Sequence, residues 1–224
     1  MSSTEPVDGA APFADRRDAG RQLAGQLTSL APENPVVVAL PRGGVPVAKE
    51  VAEALGAPLE ILAVRKLGAP HHPEYGIGAV AEDGTCVVDT EATQVLQISN
   101  GELDAIVARE ATELVRRVRA YRGDRPPLDL EGRTVIVVDD GVATGATDTA
   151  ALRAVRRKNP RRVVLAVPVC APEPLERLRA EADQVACLRV PRLLRGVSEW
   201  YEDFSQVSDE EVLDALRPRA DAAA

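Results

Sequence analysis

Residues 135–147 read VIVVDDGVATGAT, and this stretch gives the strongest indication of the fold class. Its apolar residues lead directly into Asp139 and Asp140, which predicts a buried strand over 133–139. A Thr-Gly-x-Thr turn follows, and the apolar spacing after it predicts a helix over 144–159. A buried strand that passes through a glycine turn into a helix is the building unit of a parallel α/β sheet.

The turn at 143–147 has the chemistry of an anion site. The first amides of a helix have no partner within the helix, and the helix dipole adds partial positive charge there. Gly145 lets the backbone approach an anion closely, while Thr144 and Thr147 add hydroxyl donors. No Gly-Lys-Ser/Thr follows, as a Walker A loop would require, and the G-x-G-x-x-G spacing is missing. The turn therefore predicts a cradle for a monophosphate.

The two carboxylates beside the turn give the second half of the site. Asp139 and Asp140 do not suit phosphate, but they suit the hydroxyls of a sugar as hydrogen-bond acceptors. A phosphate cradle next to a diol acceptor predicts a ribose 5-phosphate site. The alternative is an ordinary strand-turn-helix with an acidic end, which leaves two adjacent acids at the end of a buried strand without a reason.

The other segments alternate in the same way, which predicts an α/β fold with a mainly parallel sheet flanked by helices. In such sheets ligands bind beyond the carboxyl ends of the strands. The other predicted helices are 15–30, 46–56, 102–121, 175–182 and 208–217, and the last of them has a capping box of Ser208 and Glu211. The other predicted strands are 36–40, 59–66, 161–169 and 184–190. Residues 67–75 are predicted to form a loop, and residues 76–89 a hairpin around Asp83-Gly84.

The motif at 135–147 resembles the signature for 5-phosphoribosyl-1-pyrophosphate (PRPP) in type I phosphoribosyltransferases. The resemblance extends from Phe13 to about Leu216 and is nearest to an uncharacterised bacterial branch. It implies a type I phosphoribosyltransferase fold with a small hood, and a reaction that uses PRPP and Mg²⁺, the metal being carried mainly by PRPP. It also implies that the ribose is bound by Asp139 and Asp140, and the 5′-phosphate by Ala143, Thr144, Gly145, Ala146 and Thr147.

One residue departs from the purine-specific members of that family. Those members carry an aspartate before the Thr-Gly, where this chain has Ala143, which can neither accept nor donate a proton. The departure counts against a purine acceptor bound in the usual way and leaves the phosphate cradle intact, since the cradle uses backbone at this position.

Two further loops match the family pattern. The loop ALPRGG at 39–44 resembles its pyrophosphate loop, with Arg42 as the planar anion clamp and with Gly43 and Gly44 allowing close approach; the alternative is a plain strand-to-helix turn. Residues 64–76 fall where the family carries a mobile loop. In this loop, Arg65 and Lys66 would neutralise the charge of pyrophosphate. One of His71 and His72 would transfer a proton, or else both are solvated loop histidines.

The aromatic segment near the end completes the predicted domain over 13–217, between flexible tails at 1–12 and 218–224. The hood is expected mainly at 190–207, which contains Trp200 and Tyr201. Either ring would stack on a planar acceptor, or else cover the edge of the core or a dimer contact. The sequence does not identify the acceptor, and a homodimer is only the habit of the family.

Composition limits the other classes of function. The net charge of −8 argues against sequence-independent binding of nucleic acid. Three scattered cysteines, expected to be buried, argue against a disulfide framework and a structural zinc site. The N-terminus does not resemble a signal peptide and no apolar run is long enough for a membrane helix, so we expect a cytoplasmic protein. Two functions remain: a phosphoribosyltransferase, or a sensor of PRPP or nucleotides without turnover.

Overall fold

The fold consists of a parallel sheet between two layers of helices, with a small antiparallel sheet beside it. The computed structural model describes residues 11–70, 72–123 and 125–217. The helices in these ranges are α1 (Arg16–Leu27), α2 (Gly44–Leu55), α3 (Thr90–Val95), α4 (Asn100–Arg122), α5 (Ala146–Arg156), α6 (Pro172–Glu181) and α7 (Asp209–Ala215). The strands are β1 (Val36–Ala39), β2 (Leu59–Ile61), β3 (Val64–Ala69), β4 (His72–Ala81), β5 (Cys86–Val88), β6 (Thr134–Val138), β7 (Arg162–Val169) and β8 (Gln184–Arg189).

The main sheet has the strand order β2-β1-β6-β7-β8, and every pair in it is parallel. The order reverses between β1 and β6, so this is the topological switch point where ligands bind in open α/β sheets. The predicted parallel sheet flanked by helices is therefore confirmed.

Alternation along the buried strands explains the two helical layers. On β6, Ile136 and Val138 face the layer formed by α1 and α2, whereas Val135 and Val137 face α5 and α6. All four of these residues are inaccessible to solvent. A strand that is apolar on both faces has to be covered on both sides, and the sequence supplies amphipathic helices before and after it.

The small sheet corrects two predictions. The stretch 59–66, predicted as one strand, forms β2 in the parallel sheet and β3 in the antiparallel sheet β3-β4-β5. The chain passes from one sheet to the other between Leu62 and Ala63. The amide of Leu62 donates to the carbonyl of Ala39 in β1, whereas the carbonyl of Ala63 accepts from the amide of Glu82, just after β4. The apolar pattern predicts extended backbone but carries no information about which neighbour it will pair with.

The predicted loop at 67–75 is also wrong, because β3 continues to Ala69 and β4 begins at His72. The glycine and proline that indicated a loop lie at the end of this hairpin, where the register shifts between Leu67 and Ala69 and Gly68 sits in the irregularity. The predicted hairpin around Asp83-Gly84 is confirmed as β4–β5.

Other differences are smaller. Helix α3, capped by Asp89, is absent from the prediction, and Cys86 is exposed on β5 although Cys170 and Cys187 are buried as expected. The capping box of α7, formed by Ser208 and Glu211, is confirmed.

Candidate active site at the carboxyl edge of the parallel sheet

The loops that follow β1 and β6 lie side by side. Ala39 pairs with Val138, and the amide of Leu40 donates to the Val138 carbonyl at 2.9 Å. The contact between the loops is so close that a Cβ built on Gly43 would overlap Oδ2 of Asp140. The fold thus brings the predicted pyrophosphate loop against the predicted ribose-binding acids.

The predicted phosphate turn lies at the start of α5. Gly145 is the N-cap residue and has a φ of +78°, a conformation that favours glycine. Ala143 and Thr144 are exposed, Ala146 and Thr147 are partly exposed, and Gly145 is buried. The turn is fixed from behind, because the amide of Val142 donates to Val169 and the Val142 carbonyl accepts from Ala171. The start of α5 therefore opens to solvent from an anchored turn.

The acidic pair is held by short local contacts. Oδ1 of Asp139 accepts a hydrogen bond from the amide of Asp140 at 2.8 Å, and Oδ2 of Asp140 accepts from Nε of Arg16 at 2.8 Å. Burial, and then the neighbouring carboxylates, raise the pKa of Asp139 well above its usual range. Burial also raises the pKa of Asp140, while Arg16 opposes that shift.

A third carboxyl group lies behind the pair. Asp148, in the first turn of α5, is 3% exposed, and its Oδ1 has no hydrogen-bond partner in the described part of the protein. Burial, with a contribution from Asp140, raises the pKa of Asp148 to about 7. Negative charge is therefore in excess at this edge, and a ligand that brings hydroxyl donors or a cation would reduce the excess.

The two ends of the domain cover the acidic pair from above. The amide of Phe13 donates to the Trp200 carbonyl, and the amide of Glu202 donates back to the Phe13 carbonyl, both at 2.8 Å. From this junction the hydroxyl of Tyr201 donates to the backbone carbonyl of Asp140 at 2.6 Å. The buried ring of Tyr201 packs against the rings of Phe13 and Phe204, so in this structure it covers the edge of the core.

Trp200 differs from Tyr201 in its surroundings. It is partly exposed, and the guanidinium of Arg189 lies 5.9 Å from its ring centroid. The segment 190–207 carries both rings and ends in residues that border the cavity described next.

A cavity of about 340 Å³ lies between the two loops and the C-terminal segment. It is lined by Arg16, Arg42, Gly43, Asp140, Phe204, Gln206 and Val207. Arg42 is 30% exposed, and its Nη1 lies 3.7 Å from Oδ1 of Asp209, a long and solvent-screened pair that leaves the guanidinium able to bind an anion. Gly44, the third residue of the predicted pyrophosphate loop, begins α2 directly behind it.

Three of the residues predicted for a mobile loop, Arg65, Lys66 and His72, lie on the β3–β4 hairpin. Both Nε and Nη2 of Arg65 donate to Oε2 of Glu110 on α4, at 2.9 and 2.6 Å. Lys66 is on the same strand, with its Cε close to Gly76 of β4. His72 is exposed at the start of β4, and His71 lies outside the described residues. This hairpin packs against α5, the helix that carries the phosphate turn.

Sequence reasoning missed Arg16 and Asp148, although a signal was present. Arg16 lies on the face of α1 that buries Ala19, Leu23 and Leu27. Asp148 likewise lies on the face of α5 that buries Ala151, Leu152 and Val155. A charged residue on the apolar face of a helix requires a partner or a function, and here both side chains point to the same acidic edge.

Two further properties of the described residues concern metal ions and membranes. No group of three or more His, Cys, Asp or Glu side chains in them is arranged to hold a metal ion. Within the same part of the chain, no helix has both the length and the apolar character needed to cross a bilayer.

The switch point of the parallel sheet, where ligands bind in such folds, joins an arginine-glycine loop, an acidic pair and the predicted phosphate turn. This is the arrangement expected of the phosphoribosyltransferase class. Comparison with known proteins agrees, because the family model for the phosphoribosyl transferase domain matches residues 15–204. The chain belongs to this family.

The relatives extend the same result. Two proteins of Mycobacterium tuberculosis, from strains CDC 1551 / Oshkosh and ATCC 25618 / H37Rv, are provisionally named phosphoribosyl transferases, and each is 45% identical over 201 residues. The match covers 90% of this chain but 45% of theirs, so the chain spans about half the length of these curated relatives. The crystal structure of TT1426 from Thermus thermophilus is 47% identical, with a TM-score of 0.77 over 92% of this chain and 97% of that one.

Proposed function

We propose that this protein transfers the 5-phosphoribosyl group of PRPP to a nucleophile and releases pyrophosphate. The observation that carries the proposal is the meeting of three elements at the switch point between β1 and β6. These are the Arg42–Gly43 loop, the Asp139–Asp140 pair and the turn at 143–147. The names given to the relatives in M. tuberculosis support the same activity.

Each part of the donor has a matching group in this chain. The 5′-phosphate would accept hydrogen bonds from the amides of 143–147 and from the hydroxyls of Thr144 and Thr147. The ribose hydroxyls would donate to the carboxylates of Asp139 and Asp140. The pyrophosphate would lie against Arg42 and the glycines that follow it, since a planar guanidinium binds phosphate oxygens in pairs.

A magnesium ion would arrive with the donor and be carried mainly by it. Mg²⁺ prefers oxygen ligands and keeps several of its waters. The described residues contain no group of three or more His, Cys, Asp or Glu side chains that could hold the ion, so the oxygens of PRPP and water would supply most of its ligands. When bound, the ion would neutralise charge on the leaving pyrophosphate.

The reaction itself asks mainly for positioning. A bond forms between the nucleophile and C1 of the ribose while the bond from C1 to the pyrophosphate oxygen breaks with its electron pair, and the nucleophile loses a proton. The phosphate turn and the acids would hold the ribose while Arg42 stabilises the charge that develops on pyrophosphate. Ala143 offers no carboxylate to an acceptor, so the proposal includes no purine bound in the usual way for this family.

The remaining parts of the proposal concern the surroundings of the site. The hairpin with Arg65, Lys66, His71 and His72 would close over the reacting atoms, and the hood at 190–207, through Trp200, would meet the acceptor. We further expect a cytoplasmic location, no binding of nucleic acid and a homodimer. The acceptor itself is left open.

A sensor without turnover is the second candidate. The observation that favours it is Ala143, because a protein that only reports PRPP needs no group to handle the acceptor. The two functions differ in one product: a transferase releases pyrophosphate when PRPP and a suitable acceptor are supplied, and a sensor does not.

The first test is titration calorimetry of the protein with PRPP in the presence and absence of Mg²⁺, with ribose 5-phosphate and pyrophosphate as controls. We expect saturable binding of PRPP that depends on Mg²⁺. Asp140→Asn should weaken this binding by about tenfold or more, the loss that corresponds to one charge-assisted hydrogen bond. If none of the three compounds binds, both the transferase and the sensor are wrong.

A further inference from the structure

Arg16 contacts the candidate site from an element that no part of the motif includes. It is the first residue of α1, and 9% of it is exposed to solvent. Its Nε donates to Oδ2 of Asp140 and its Nη1 donates to the carbonyl of Ser205, both at 2.8 Å. The guanidinium carbon lies 3.7 Å from the ring centroid of Phe204. Three independent contacts therefore fix the orientation of this side chain.

The contacts also fix the carboxylate of Asp140. Arg16 approaches Oδ2 from the side of α1, and Gly43 lies against the same oxygen from the side of the pyrophosphate loop. From the covering C-terminal segment, the hydroxyl of Tyr201 donates to the backbone carbonyl of Asp140. The carboxylate, 15% exposed, is thus held at the wall of the 340 Å³ cavity.

We propose that Arg16 is a positioning residue for Asp140: by binding one carboxylate oxygen, it holds this group in place and aimed at the ribose of the donor. The inference rests on the proposed function, since it assigns Asp140 to the ribose. It adds a residue outside the phosphate turn and the pyrophosphate loop, contributed by the helix at the start of the domain.

The charges around Asp140 explain why it needs this partner. Burial and then the charge of Asp140 raise the pKa of Asp139 in the same loop and of Asp148 on α5, so carboxyl groups are crowded around Asp140. The hydroxyl of Tyr201 faces the backbone of Asp140, and Arg42 lines the same cavity without a hydrogen bond to this carboxylate among the described contacts. Arg16 is the cation that binds Asp140 directly, and it opposes the rise in pKa that burial causes. Without Arg16 this opposition is lost, so the pKa of Asp140 should rise further.

The test compares Arg16→Gln and Arg16→Lys with the parent protein by calorimetry with PRPP and Mg²⁺ between pH 6 and pH 9. At pH 7 we expect Arg16→Gln to bind PRPP about tenfold more weakly or worse, and Arg16→Lys to recover part of the loss. The loss should shrink as the pH rises, because Asp140 ionises again. Arg21→Gln is the matched control, since Arg21 is on the same helix, is 57% exposed and makes only ion pairs of 3.8 and 3.9 Å.

Two results would overturn the proposal. A loss in Arg16→Gln that is equal at every pH would show that Arg16 only supports the fold. Tighter binding of PRPP by that variant would show that Arg16 competes with the donor for Asp140.

A second measurement separates this inference from the proposed function. The midpoint for titration of the Asp140 carboxyl, followed by carbon NMR without any ligand, should move upward in Arg16→Gln. An unchanged midpoint rejects the role of Arg16 even if PRPP binds. Conversely, if the parent protein binds no PRPP, the proposed function fails, and a shifted midpoint would still establish that Arg16 holds Asp140 ionised.

Discussion

Two buried arginines in this protein sit in opposite electrostatic settings. Arg122, at the end of α4, donates to Glu82 and to the carbonyl of Ile61 at 3.0 Å, and to Glu60 at 3.4 Å. Arg16, at the edge of the sheet, donates to the single carboxylate of Asp140. Both arginines are 9% exposed, so burial alone does not distinguish them.

The difference lies in how the carboxylates are satisfied. Glu60 also accepts from the amides of Ile61 and Leu128, and Glu82 accepts from the amide of Ala63. The network around Arg122 therefore has a partner for each of its acids and ties α4 to both sheets. At the other site one acid is left over, because Oδ1 of Asp148 has no partner among the described residues. A satisfied network stabilises a fold, whereas a surplus of acid is a property of sites that await a ligand.

Removing Arg122 should produce the largest effect on stability. Arg122→Ala leaves two partly buried carboxylates, 13% and 18% exposed, without their cation, and breaking a buried pair typically costs about 3–5 kcal/mol. We expect the free energy of unfolding in urea to fall by this amount, with little change in PRPP binding by the protein that remains folded. Arg116→Ala is the control, because Arg116 is 68% exposed and pairs only with Glu113 on its own helix, so its loss should hardly change the unfolding curve. If Arg122→Ala lost no more stability than Arg116→Ala, the network around Arg122 would not be structural.

The candidate site was largely predictable because its residues are contiguous. Asp139, Asp140 and the turn at 143–147 follow one buried strand, and the loop with Arg42 follows another. Parallel strands deliver their carboxyl ends to one edge of the sheet, so two sequence-local patterns were enough to predict the fold and the neighbourhood of both loops.

The contacts with Asp140 that the sequence did not predict come from residues far along the chain. Arg16 reaches Asp140 across 124 positions, and Tyr201 reaches it across 61. The same holds for the stretch 59–66, which divides between two sheets according to its pairing with β1 and β4. Periodicity describes the faces of one element, whereas pairing depends on the whole topology.

The surplus of acid can be tested through Asp148. Its pKa is raised to about 7 by burial, so between about pH 4 and pH 7 the unfolded chain releases this proton while the folded protein keeps it. The parent protein therefore loses stability over that range as the pH rises, and Asp148→Asn does not bear this cost. We expect the variant to equal the parent below about pH 4 and to be more stable above pH 7 by at most roughly 4 kcal/mol. Urea unfolding at several pH values measures the difference.

Asp183→Asn is the matched comparison for that experiment. The side chain of Asp183 binds Arg156 at 2.8 Å, and this hydrogen bond lowers the pKa of Asp183. A carboxyl group with a lowered pKa stabilises the folded protein when the pH is above the pKa of that group in the unfolded chain. This stabilisation is lost as the pH falls. Asp183→Asn should therefore destabilise the protein at neutral pH. The two substitutions remove the same charge and should act in opposite directions. If Asp148→Asn also destabilises at pH 8, the acid at the sheet edge behaves like a satisfied structural group.

The smallest expected change in stability comes from a pair of glycines, and it sharpens the contrast between the two settings. The backbone conformation of Gly43 is helical and suits an alanine equally well. The obstacle to an alanine is its Cβ, which would overlap Oδ2 of Asp140. Gly43→Ala should displace that carboxylate from Arg16 and weaken PRPP binding by about tenfold or more, at a cost in stability of about 1 kcal/mol. Gly25, exposed in the last turn of α1, has no atom within 4 Å of a built Cβ, and Gly25→Ala should add about 0.5–1 kcal/mol without affecting PRPP. Unchanged PRPP binding in Gly43→Ala would mean that the contact between the two loops serves packing alone, as the network around Arg122 does.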